Sequence, residues 1–569
     1  VDELHSSWAT SGSWSEIGHR AAAGNQLPGY FAILYGSQQI ASTVGSFLPW
    51  RLDTPELALR LPSILAWSLT LGCVAAILLC SPWQLSRPNH AAGRQTHRAW
   101  LGSSAVVIGC CLCILVDRMQ GFYGSEARVY ALVQLCSLLG WLTVSLAFKE
   151  CCLEQLDQSG RQLDSCGKFQ SYRWLWFAWT LMAVGQLNLH VTSGTSILVQ
   201  WMLLAALAIV QPRHRPGLLL ATVTLLIAGW LIIDDLNPVW QRRSQWQSIG
   251  GDASLISLLT IFPTLPVLTP VAIAWLSVGL LAVVRSTRQA FQGTERQVPD
   301  RAQGNMPTNR DHRRPRYSRG SRFLIRFGSS QWLWALAMAA PLITAWLLTR
   351  LEVAPLFHYR FVITAALPLY LFAGIQIANL PSRWLQWTAV LGSLVWLMGS
   401  QGTMKQWQHG QLSGVVRGEG WREAASYIQQ RFNPASDAIW CYSGLIEGHR
   451  AEPPLDLDNL EYLSYPLRGC YQISAEGTPA YPLALVGQHR YWAQQILADE
   501  NRLDYSAPQE TSPTPGAPMS AAWIVCRGSG LALETRLQQS ELDGLPQLHP
   551  IVEFGKVSVV CLQTGPPSR

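Results

Sequence analysis

The chain has 569 residues, of which 49% are hydrophobic and only 14% charged, where about 25% charged is usual for a soluble protein. That composition excludes an ordinary soluble enzyme and points to a membrane protein. The net charge of +7 does not describe a nucleic-acid binder: between Arg285 and Arg326 eleven Arg face only Glu295, Asp300 and Asp311, so one basic block supplies the whole excess, and it lies between apolar runs as a cytoplasmic loop would.

In chain order, residues 1–60 read as a first loop, with an interfacial helix at 27–50 whose Pro28, Gln38, Gln39 and Pro49 argue against a crossing. Val1 is not an initiator Met, and a transmembrane helix ahead of it is expected to be missing. A spanning helix needs about 20 apolar residues. Runs of that kind occur at 61–86, 99–116, 129–148, 216–233, 253–284, 327–349, 361–382 and 384–404. The run 174–210 is long enough for two spans meeting near His190, which makes ten over residues 61–404. Every second loop is basic, with the block at 285–326 after the seventh span and Arg383 after the ninth. The positive-inside rule puts those loops in the cytoplasm, and the loops carrying Glu126, His190 and Arg360 outside, together with both ends of the chain. Residues 405–569 read as an extracytoplasmic α/β domain, with a helix at 421–432, strands at 438–442, 522–526 and 557–562, and a Pro/Ser/Thr loop at 508–518. Nine cysteines in or beside the apolar runs are packing residues. Cys441, Cys470, Cys526 and Cys561 would suit one or two disulfides in an exported domain.

Chemistry-bearing residues collect in the expected outer loops. Asp2 and Glu3 are adjacent carboxylates, able to divide proton abstraction and tuning between them, although acids at a helix start are common for electrostatic reasons alone. Asn25 and Gln26 lead into Leu27-Pro28-Gly29-Tyr30, and Arg60-Leu61-Pro62-Ser63 opens a span. Glu126-Ala127-Arg128-Val129-Tyr130-Ala131-Leu132 precedes another, His190 sits in a turn, Tyr359-Arg360-Phe361 leads to Leu367-Pro368, and Trp421-Arg422-Glu423-Ala424-Ala425 opens the tail. In this order the motifs resemble those of the C-type (GT-C) membrane glycosyltransferases, in particular bacterial relatives of the protein O-mannosyltransferases and aminoarabinose transferases.

The resemblance implies a mainly α, polytopic transmembrane helical bundle with a soluble C-terminal α/β domain, in a plasma membrane with its active site outside. It implies an inverting transferase that moves a sugar from a polyprenyl-phosphate donor to a hydroxyl of a lipid, glycan or protein acceptor. Asp2 would be the base, with Glu3 and Glu126 as further acids. Arg128, Arg360, Arg60, Tyr130, Asn25, Gln26 and His190 would hold donor phosphate or substrate. No nucleotide cofactor is expected; if a divalent metal (Mg2+ or Mn2+) takes part, Asp2, Glu126 and His190 are its candidate ligands. Blander readings exist: Arg60 can snorkel to headgroups, and His190 can be a polar residue satisfied between helices. Two other functions fit the same features: a transporter or flippase of lipid-linked sugars, and a catalytically inactive relative that binds glycan, suggested by Leu27, Gly29, Val129 and Phe361 where the family has other residues.

Overall fold

The computed structural model describes residues 2–24, 26–45, 55–80, 95–157, 166–234, 236–237, 253–293, 331–408, 419–434, 436–443, 457–471, 473, 480–483, 492–497 and 520–564. In chain order the helices are α1 (Asp2–Ser11), α2 (Ile17–Ala23), α3 (Pro28–Gly45), α4 (Pro55–Cys80), α5 (Gln95–Val116), α6 (Arg118–Ser125), α7 (Tyr130–Asp157), α8 (Cys166–Leu189), α9 (Gly194–Val210) and α10 (Arg215–Leu231). They continue with α11 (Leu255–Thr260), α12 (Thr264–Gly293), α13 (Trp332–Arg350), α14 (Ala366–Ala378), α15 (Arg383–Ser400) and α16 (Thr403–Gln408). The tail comprises α17 (Trp421–Gln429), β1 (Asp437–Tyr442), α18 (Leu457–Tyr465), β2 (Ala480–Pro482), α19 (Trp492–Leu497), β3 (Ala521–Arg527), α20 (Gly530–Gln539), β4 (Gln547–Phe554) and β5 (Val557–Gln563). The chain divides into two compact units: Arg60–Gly414, and Val1–Leu59 together with Val415–Arg569.

The first unit is a helical bundle built for lipid. Six helical stretches among the described residues are long and apolar enough to cross a membrane: Leu57–Leu79, Tyr130–Cys151, Val191–Val210, Pro212–Leu231, Thr264–Arg285 and Trp332–Arg350. Helices α5 and α6 meet at a 73° bend and make a seventh if the pair is one broken span. This differs from the ten spans expected. The run 361–382 forms only the short apolar stretch Ile363–Ala378, because residues 357–362 are spent in turns. The run 253–284 still supplies one of the six, Thr264–Arg285, after a break at Phe262-Pro263 between α11 and α12, where Pro263 cannot donate to the helix ladder. Leu219, Leu220, Leu226, Trp230 and Leu231 of α10 are all exposed, the mark of a surface solvated by hydrocarbon rather than water. Helix α14 is the opposite case, buried along nearly its whole length.

The second unit is a five-stranded sheet of order β2-β1-β3-β5-β4. Strand β1 is parallel to both β2 and β3, while β5 runs antiparallel to β3 and β4. Both faces are covered, so β3 and β5 are continuously buried rather than alternating. One face packs Trp440, Ile524 and Val560 with Leu533 and Leu537 of α20; the other packs Ile439, Val525 and Val559 with Trp421 and Ile428 of α17.

Helix α1 belongs to this core: Trp8 enters the first cluster and Leu4 the second. Ser7 Oγ and Tyr465 OH are 2.9 Å apart, the Trp8 and Tyr462 rings lie 4.5 Å apart, and Arg20 lies over Trp8 while reaching Glu461 at 3.8 Å. The sequence alone separated 1–60 from 405–569; the fold groups residues from both in one unit. Helix α3 presses Tyr30, Phe31 and Leu34 inward and leaves Ile33 and Ile40 exposed.

The disulfide expectation is corrected. Cys441, Cys526 and Cys561 are free and buried. Cys526 lines one face of the sheet and the other two line the opposite face. Cys441 and Cys561 are separated by β3, which pairs Cys441 with Val525 and Trp523 with Cys561. Two strand spacings are about 9–10 Å, beyond the roughly 7 Å that a disulfide spans between Cα atoms. The Cys470 side chain lies outside the described residues.

Candidate functional site

Within the bundle, the site begins at the α5–α6 elbow. Asp117 caps α6 by accepting from Met119 N–H at 3.0 Å, the usual use of Asp at a helix start. Its carboxylate also accepts from Tyr370 OH at 2.6 Å and from Gln401 Nε2 at 3.0 Å. Helix α14 and the residue that caps the end of α15 thus fix where α6 points. Helix α6 carries Gln120, Phe122 and Tyr123 and stops at Glu126, whose backbone is extended. Arg128 N–H then donates to Glu126 O at 2.7 Å, a tight turn that brings both side chains to the same side before α7 starts.

Glu126 and Arg128 form an ion pair, Nε to Oε2, at 2.8 Å, and both are buried. The guanidinium lies 5.4 Å from the Phe122 ring and 6.0 Å from Tyr123. Ser63, from the Arg60-Leu61-Pro62-Ser63 motif, donates to Arg128 O at 2.9 Å, so two of the sequence motifs meet here. A buried charge pair is retained at a desolvation cost, and such groups at membrane depth commonly mark function.

The turn at 357–361 closes the cluster. Tyr359 stacks on Tyr123 at 5.8 Å and packs on Phe262 at 4.7 Å. Gln120 Nε2 donates to Tyr359 OH at 3.1 Å, and Gln134 Nε2 to Gln120 Oε1 at 2.8 Å. Tyr130 lies 4.5 Å from Tyr123 and 5.7 Å from His190, and His190 lies 5.9 Å from Phe361. His190 Nδ1 is bonded to the Thr192 hydroxyl at 2.7 Å. The Arg360 guanidinium sits 4.7 Å over the Phe361 ring, and its buried Nε has no hydrogen-bond partner among the described residues. Burial, with the Arg360 charge, pushes the His190 imidazole down to about 4, and does the same to His358. Both are neutral near pH 7.

Glu126, Arg128, Tyr130, His190 and Arg360 are therefore brought together, although 234 positions separate the first from the last. Asp2 and Glu3 lie on α1 in the other compact unit, and their side chains, like Asn25 as a whole, lie outside the described residues. Gln26 is half-buried, its N–H bonded to Ala21 O at 3.0 Å. Arg60 is half-buried on α4. The basic loop beyond residue 293 is likewise outside the described residues.

Among the candidate metal ligands, Glu126 is engaged with Arg128 and His190 Nδ1 with Thr192. Among the described residues no three His, Cys, Asp or Glu side chains are grouped to hold a metal ion. Asp117, Gln120, Tyr123 and His358 were not singled out from sequence as site residues. Asp117 and Gln120 carried a usable signal: polar residues at the end of an apolar run, just ahead of the Glu126–Arg128 motif.

No family model matches the chain. No curated protein and no solved structure matches it either.

Proposed function

We propose that this membrane protein is an inverting glycosyltransferase, moving a sugar from a polyprenyl-phosphate donor to an acceptor hydroxyl at the outer face of a plasma membrane. The observation that carries the reading is Arg360: a guanidinium whose buried Nε has no partner among the described residues, beside a buried acid–base pair and a wall of tyrosines. A guanidinium in that state favours an anion that accepts from it in a bidentate manner. The lipid phosphate is such an anion, and the apolar helices supply the lipid solvent from which it would come.

In this reading Asp2 takes the proton of the acceptor hydroxyl, and the oxygen attacks the anomeric carbon from the face opposite the phosphate. The bond between that carbon and the phosphate oxygen breaks, and the lipid phosphate leaves with the electron pair while Arg360 and Arg128 steady its growing charge. Glu126 orients Arg128, and Tyr130 and Tyr359 supply hydroxyl groups for the sugar. The assignment of Asp2 rests on the sequence resemblance.

The test is transfer of a labelled sugar from a synthetic polyprenyl-phosphate donor by the reconstituted full chain. Asp2→Asn is expected to lower turnover by about 10^3-fold or more while the melting temperature stays unchanged. Full activity in that variant overturns the reading.

A second reading has one observation in its favour. A chain of buried polar groups runs through the bundle: Ser137 and Trp141 contact Ser196 at 3.3 and 3.2 Å, Gln200 reaches Ser196 at 3.3 Å, and Trp179 reaches Gln200 at 2.9 Å. Polar residues within the spans suit a carrier of lipid-linked sugar. Movement of the donor across vesicles without a covalent product would favour it.

A further inference from the structure

The turn that presents Arg360 presents a second polar group. His358 Nδ1 accepts from Arg360 N–H at 3.4 Å, so the proton of the neutral imidazole resides on Nε2. The His358 ring meets Phe361 edge-on at 5.8 Å, and the Arg360 guanidinium lies over that same Phe361 ring at 4.7 Å. Imidazole and guanidinium thus flank one aromatic side chain, two residues apart, in a turn held by Phe361 N–H and Val362 N–H, both donating to His358 O.

We propose that His358 is a second donor of this anion site, giving its Nε2–H to a phosphate oxygen held by Arg360 and taking up a proton as the anion binds. The inference rests on the reading of Arg360 as a phosphate-binding residue. Its physical basis is the balance of charge in the turn. Without an anion, burial and the unneutralised Arg360 charge both oppose a proton on His358. An anion at Arg360 cancels the second of these and adds an acceptor that favours imidazolium; the proton taken up goes to Nδ1, which gives up its long 3.4 Å bond from Arg360 N–H. Among the described residues, the other groups facing the turn do not replace that control. His190 lies across the Phe361 ring and is itself neutral. Beyond Tyr123 and Tyr130, Glu126 and Arg128 neutralise one another at 2.8 Å.

The experiment uses the full chain in detergent and farnesyl methyl phosphate, a lipid phosphodiester with no proton of its own to exchange between pH 5 and 8. Binding is measured by calorimetry at pH 5.5 and 7.5, in buffers of different ionisation enthalpy. Affinity should be about four- to tenfold tighter at pH 5.5, with net proton uptake. His358→Gln keeps a donor but cannot take a proton; it should bind at pH 7.5 within about twofold of the parent and lose most of the pH dependence. Arg360→Met should abolish binding at both pH values. If the parent binds and Arg360→Met does not, yet affinity is flat with pH or His358→Gln retains the full proton uptake, the role of His358 is overturned while Arg360 stands. If the parent binds no better than Arg360→Met, the phosphate reading of Arg360 fails, and the inference with it.

Discussion

Tyr370 OH donates to Asp117 Oδ2 at 2.6 Å across 253 positions of sequence, in a pair with no exposure of the carboxylate to solvent. The bond ties the buried helix α14 to the start of α6, and α6 delivers Tyr123, Glu126 and Arg128 to the site. Asp117 acts through those residues and is a positioning group.

Replacing Asp117 with Asn should therefore be costly although the shape is kept. Asn offers one acceptor oxygen where three donors converge, and its amide would face a donor. The expected destabilisation is about 1–3 kcal/mol for the mismatched buried groups, seen as a lower melting temperature in detergent. Transfer activity should fall through turnover more than through KM. Tyr370→Phe should reproduce the stability loss in part; unchanged melting in both variants would remove Asp117 from this role.

The Glu126–Arg128 pair should show strong coupling. Removing either partner leaves the other charge buried and uncompensated, at a cost of about 3–5 kcal/mol. The double variant Glu126→Gln with Arg128→Met should lose less than the two single losses added. A double-mutant cycle on thermal unfolding measures the difference, and strict additivity would mean that the two side chains do not sense one another.

Acid should weaken the bundle in a defined window. His190 and His358 have folded values of about 4, below the ordinary 6.5, so the unfolded chain binds more protons between those values. Their contribution is complete above about pH 6.5 and is lost as pH falls toward about 4. Unfolding followed from pH 7.5 to 4.5 should show this slope, and the variant His190→Gln with His358→Gln should reduce it. Arg360→Met should make the loss smaller, because with the repelling charge gone the folded values rise toward 6.5 and the window narrows from its acid end.

In the other unit, Trp8 is 1% exposed in a cluster with Trp440, Tyr442 and Tyr462. Trp8→Ala should cost about 3–5 kcal/mol and should raise proteolysis within 415–569 as well as at the N-terminus. Cleavage confined to the first 60 residues would show that α1 is not part of that core.

Much of the bundle was legible because a lipid solvent imposes long apolar runs that a sequence displays directly, as at Tyr130–Cys151 and Trp332–Arg350. The count of spans was less legible. Apolarity over 361–382 does not reveal that Arg360 to Val362 turn before α14 begins. Glu126, Arg128, Tyr130, His190 and Arg360 were each visible as polar residues at the ends of such runs, since charge there demands a reason. His358 has a role set by a neighbour's backbone, which leaves no pattern to read, and Asp117 shows only as a polar residue at the end of an apolar run, its partners Tyr370 and Gln401 being distant in sequence.

The order of hydrophobic and polar segments along the chain thus determined that this is a membrane protein with a sheet-containing tail, because solvent preference is a property of local composition. Tertiary structure decided the rest. It buried Leu4 and Trp8 in the two cores of the tail's sheet, kept Cys441 and Cys561 apart by the width of β3, and left the Arg360 Nε without a partner among the described residues, beside a neutral imidazole. Those outcomes depend on distances between residues remote in sequence, and only packing sets them.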